Sequence, residues 1–89
     1  MWRKPLKRKN MELQKKIGCV ILNLRQNMHS QGGVRITQQD IADEADITLR
    51  YYQLLETGKR MPTLLVAEKI AKAFNLKLSQ FCALVEEYE

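Results

Sequence analysis

Arg50 and Gln53 are the residues of this 89-residue chain whose types and spacing carry the most chemistry. They stand three apart in LRYYQLLE, so on a helix they share a face. A guanidinium donates two hydrogen bonds to guanine O6 and N7. A glutamine amide bonds N6 and N7 of adenine, and a leucine meets the thymine methyl. Leu49 and Leu54 fall on the same side, while Ile47, Tyr52 and Leu55 are spaced to face a core. Thr48 and Tyr51 carry hydroxyls suited to phosphate. Lys59 and Arg60 follow in a turn beside Gly58, two positive charges placed for backbone contact. The alternative is an ordinary solvated helix, but two outward leucines beside Arg and Gln fit a contact surface better. This is chemistry of recognition, not of reaction. No nucleophile stands beside a base, and no metal cluster or phosphate loop is legible, so no enzyme, metal or cofactor is expected.

Two short helices must position those groups. Thr37 with Asp40 three residues on is a helix-start signature. Ile41, Ala42 and Ala45 put a small apolar stripe on that helix, and Asp46 breaks it. Thr48 caps a second helix, which stops at Gly58. The segment 37–56 is thus an angled helix pair. In such a helix-turn-helix the second helix, here 48–56, lies in the DNA major groove.

The whole pattern resembles the helix-turn-helix of Cro/cI-type repressors, the lambda-repressor-like or xenobiotic-response-element family. That family runs S/T-Q-x-x-L-A, a turn, and a helix ending E-x-G-x-x-x-P. Here the matching residues are Thr37, Gln38, Ile41, Ala42, Glu56, Gly58 and Pro62. The likeness continues through TLLVAEKIAKAFNLKLSQF and spans roughly residues 13–85 once the first helix is included. It implies that Gln38 contacts the DNA backbone or a base edge. It also implies that Arg25, on the first helix, pairs with Glu56. Asp46 departs from the family's usual glycine, at a position that is often left-handed; Asp tolerates that conformation better than most residues.

Length limits the chain to one domain with a modest core. No apolar run approaches the ~18 residues of a membrane span, and the basic start does not read as a secretory signal, so a cytoplasmic protein is expected. Cys19 and Cys82 are distant, with no C-x-x-C and one histidine, and read as two reduced thiols. The net charge of +5 favours polyanionic partners. Residues 1–35 hold nine basic residues and one acidic, a net of +8, while 36–89 hold six and nine, a net of −3. The basic excess therefore lies ahead of the reading unit.

Residues 1–10, MWRKPLKRKN, read as a disordered basic arm preceding a helix-turn-helix domain over 11–89. The arm either follows DNA or is a solvated tail. Asn10 is the expected cap of helix 1, whose buried face is Leu13, Ile17, Val20, Ile21, Leu24 and Met28. Residues 29–35, HSQGGVR, form a link longer than the family's; Arg35 either reaches a phosphate or sits in an inert insertion. Pro62 and Thr63 start helix 4, with Leu64, Ala67, Ile70, Ala71 and Phe74 inward. Asn75 ends it, and Ser79 is the expected cap of helix 5. Phe81 should close the core, while Leu84, Val85 and Tyr88 are expected to remain uncovered and to pair two subunits.

These readings converge on an all-α, five-helix, lambda-repressor-like fold. The expected function is sequence-specific binding of double-stranded DNA by a small repressor-like regulator, acting as a homodimer. The alternative is a protein-interaction module of the same fold, such as an antitoxin binding a toxin, kept open by Leu49 and Leu54.

Overall fold

The computed structural model describes the backbone of residues 7–28 and 32–88, with side chains from residue 12 onward within those ranges. Five helices follow in order: α1 Lys7–Gln26, α2 Gln38–Glu44, α3 Leu49–Glu56, α4 Leu64–Ala73 and α5 Leu78–Glu87. Among the described residues there is no sheet, and no helix is long and apolar enough to cross a membrane. The all-α, five-helix expectation is met.

The core is built where the apolar periodicities meet. Ile17, Val20 and Ile21 of α1 face Ile41 and Ala42 of α2, Tyr52 and Leu55 of α3, Ile70 and Ala71 of α4, and Phe81 and Val85 of α5, all buried. α1 packs on α3 and α5, α2 on α3 and α4, and α4 on α5.

Three helices end the same way. At the ends of α2, α3 and α4 the chain turns left-handed at Asp46 (φ 59°), Gly58 (φ 76°) and Asn75 (φ 62°). In each case the next N–H reaches back into the helix. Ile47 bonds the Ala42 carbonyl at 3.0 Å, Lys59 that of Leu54 at 2.9 Å, and Leu76 that of Ala71 at 2.9 Å. This double-bonded stop satisfies carbonyls that the helix leaves open. Asp46 thus adopts the conformation expected of it, and the turn between α2 and α3 is closed without a glycine.

Several local expectations are corrected. α1 begins at Lys7, so Asn10 lies inside the helix rather than at its cap, and residues 7–10 of the expected arm are helical. Lysine and arginine are good helix formers, and a helix already packed from Ile17 onward extends backwards until a breaker intervenes. The rest of the arm, 1–6, and residues 29–31 of the link lie outside the described residues. α5 is capped at Lys77, not Ser79, with the Gln80 Oε1 accepting from the Lys77 N–H at 2.8 Å. Leu13 and Leu64, expected inward, are 41% and 72% exposed. Each lies at an outer end of its stripe, beside a groove between α1, α4 and α5. Val85, expected on the surface, is only 6% exposed. It stands one turn after Phe81, on the side of α5 that faces α1 and α4.

Candidate nucleic-acid interface

Both helices of the unit start on threonine caps. The Thr37 hydroxyl accepts from the Asp40 N–H at 3.1 Å, and the Asp40 carboxylate accepts from the Thr37 N–H at 2.8 Å. That reciprocal box fixes where α2 begins. The backbone bond from Thr37 holds the Asp40 carboxyl below its ordinary range. The Thr48 hydroxyl accepts from the Tyr51 N–H at 3.1 Å and fixes the start of α3.

At the far end of α3, Glu56 organises the unit. It is 8% exposed and accepts four hydrogen bonds, two at each oxygen. Arg25 donates from Nε to Oε2 at 2.9 Å and from Nη2 to Oε1 at 3.0 Å. This two-pronged geometry is the one that a planar guanidinium suits. Tyr52 donates its hydroxyl to Oε2 at 2.6 Å, and Gln38 its amide to Oε1 at 2.7 Å. A carboxylate offers about four lone-pair sites, so this one is saturated. Burial pushes the Glu56 carboxyl up, but the bonds from Arg25, Tyr52 and Gln38 outweigh it and hold the group below its usual range. Burial and the bond to Glu56 drive the Tyr52 phenol far above its ordinary value. Arg25 also reaches the Ile36 carbonyl at 3.4 Å, which ties the entry to α2 to the same cluster.

The cluster continues outward to the reading face. Because Glu56 can only accept, it turns the amide nitrogen of Gln38 inward and its oxygen outward. That oxygen accepts from Gln53 Nε2 at 3.1 Å. Gln53 keeps its own oxygen and a second N–H free for a partner, which is what a two-bond contact with adenine needs. A buried ion pair thus sets the orientation of an exposed amide on the outer face of α3.

Beside Gln53, Arg50 is exposed; Leu49 and Leu54 are half-buried rather than open. Tyr51 is also half-buried and packs against the core. Thr37, Thr48, Lys59 and Arg60 are exposed, the last two in the turn after α3. The end of α2 and the turn after it are acidic, with Asp43, Glu44 and Asp46 exposed. The positive groups of the unit are therefore confined to α3 and the turn that follows it.

Two contributors escaped the sequence reading. Gly18 of α1 lies against the end of α3, where an added Cβ would stand 2.7 Å from the Glu56 carbonyl and 2.9 Å from the Gly58 nitrogen. Its signal was a lone glycine inside a strong helical pattern, a mark of close backbone approach. Gln14 reinforces the crossing by donating to the Gly58 carbonyl at 3.3 Å. Of the residues expected to pair subunits, Val85 is in the core. Tyr88 packs against the core too, and its phenol is raised by a hydrogen bond with Cys19. Leu84 alone of the three is exposed, at 38%.

No curated protein matches the chain. Among solved structures it is similar to the clp gene regulator ClgR from Corynebacterium glutamicum, with a TM-score of 0.67 and 16% identity, covering 83% of this chain and 72% of that one. At that identity the likeness speaks for the fold. A family model described as helix-turn-helix matches residues 34–81, more than half of the chain. The capped pair α2–α3, its left-handed turn at Asp46 and that match together place this chain in the Cro/cI-type helix-turn-helix family.

Proposed function

We propose that the protein is a cytoplasmic, sequence-specific regulator that binds double-stranded DNA as a homodimer, with α3 in the major groove. The observation that carries this reading is the outward pair Arg50 and Gln53 on a helix whose end is locked by Glu56. Arg50 and Gln53 read base edges, with Leu49 and Leu54 against thymine methyls. Thr37, Gln38, Thr48, Tyr51, Lys59 and Arg60 contact the phosphate backbone and set the register. Gln38 does so through its main-chain N–H at the start of α2, while its side chain orients Gln53. The homodimer follows from reach, since one such unit reads only a few base pairs and symmetric half-sites lie about one helical turn apart. Half-burial leaves Leu49 and Leu54 enough surface to meet a methyl group but no broad apolar patch, so no observation favours the protein-interaction alternative. Selection of bound sites from random duplexes tests the reading. A reproducible inverted repeat is the expected result, and recovery of unrelated sequences would refute it.

A further inference from the structure

A groove of about 480 Å3 opens between α1, α4 and α5. Ile17, Phe81 and Val85 form its buried floor, and Leu13 and Leu64 stand on its rim, 41% and 72% exposed. Large apolar side chains at that exposure around one depression mark a contact surface. Two charges also line it, Lys16 from α1 and Glu86 from α5. Among the described residues the ion pair formed is Arg25 with Glu56, so Lys16 and Glu86 stand on the groove without a charged partner.

We propose that this groove is the surface through which two copies of the chain pair. The proposal rests on the homodimer reading above and gives it a location, on the side of α5 that carries Val85 and Glu86 and not the side that carries Leu84 and Tyr88. The charges argue for a second copy over any other occupant. In a two-fold interface each residue meets its counterpart's neighbour reciprocally. An axis through the groove brings Lys16 of each copy to Glu86 of the other, and the leucine rims close over both floors. The surface is thus complementary to itself in charge and in character. It is also compatible with DNA binding. α1 turns Gln14 and Gly18 toward α3 and turns Leu13, Lys16 and Ile17 toward the groove. No residue assigned to DNA contact lines it.

Sedimentation of the full chain over a wide concentration range tests this, with Lys16→Glu, Glu86→Lys, their double swap and Leu64→Glu. Wild type should form a reversible dimer. Each single charge swap should weaken it at least tenfold, the double swap should restore most of the loss, and Leu64→Glu should give monomers. Thermal melts should stay close to wild type, because none of the three side chains is in the core. A dimer indifferent to all four variants, or a double swap no better than its parents, overturns the location. A wild type that is monomeric at every concentration overturns the pairing, and leaves the groove to a different protein or to an amphipathic small molecule. Binding of the monomeric variants to a duplex carrying one half-site separates the two proposals. It should persist if α3 reads DNA, whatever the groove does.

Discussion

Replacing Glu56 with leucine should destabilise the domain by about 3 kcal/mol, and the cause would be the partners left behind. Removing one member of a buried ion pair costs roughly 3 to 5 kcal/mol, because the other charge stays desolvated. Here Arg25 keeps 17% of its side chain exposed, so it can turn partly to water, which favours the lower end. Tyr52 and Gln38 lose their acceptor as well, and an unsatisfied buried donor costs on the order of 1 to 3 kcal/mol before relaxation. Arg25→Met should cost at least as much, since Glu56 has 5% of its side chain exposed and no route to solvent. The double variant Arg25→Met, Glu56→Leu removes both charges. It should recover about 2 kcal/mol relative to the sum of the singles, within the range seen for residues in direct contact. Urea unfolding at neutral pH measures this. With a slope near 1 kcal/mol per M, a small-domain value, Glu56→Leu should lower the midpoint by about 3 M. Acid adds a second check. The Glu56 pKa is depressed in the folded state, so its contribution is present above the unfolded value of about 4.3 and is lost as pH falls through the folded pKa. The gap between wild type and Glu56→Gln should therefore close in that acid window. Additive losses in the cycle, or a gap unchanged by acid, would refute the coupling.

Three other perturbations probe the same architecture. Gly18→Ala should destabilise by roughly 1 to 3 kcal/mol in a thermal melt, although alanine is the better helix former, because its Cβ meets the backbone of α3 rather than a movable side chain. Val85→Lys should unfold or severely destabilise the domain by circular dichroism, whereas Leu84→Lys should leave it folded, since the first is core and the second is surface. Lys59→Ala and Arg60→Ala should each weaken cognate and random duplexes by similar factors, and each should lower the slope of log K against log salt by about one.

The sequence was most legible where a local rule and a tertiary need agree. Thr37, Thr48 and Gly58 mark helix ends by chemistry that acts within a few residues, and each stands where expected. Asp46 was legible for the same reason, as one of the few residue types that accept its φ. The Arg25–Glu56 pair spans 31 positions, so no local pattern exposes it; family resemblance supplied it. What escaped depends on which neighbour lies opposite a face. The stripe on α5 was visible, but whether Val85 meets α1 or solvent turns on how α5 docks. Leu13 and Leu64 show the converse, apolar positions in register with a core that ends before reaching them. The relay from Glu56 through Gln38 to Gln53 was hidden because it joins α3 to α2 through side-chain amides, whose orientation only the buried carboxylate fixes.

The assignment of Arg50 to base reading is the central claim, and a competition titration tests it most directly. Wild type and Arg50→Ala would be titrated against the selected operator and a scrambled duplex at several salt concentrations. A two-bond contact to guanine is worth roughly 1 to 3 kcal/mol of discrimination, so Arg50→Ala should weaken operator binding about 5- to 150-fold. Scrambled DNA should change little, and preference should relax at one base pair per half-site. Equal weakening on both duplexes would contradict the account, because Arg50 would then be holding phosphate and not reading sequence.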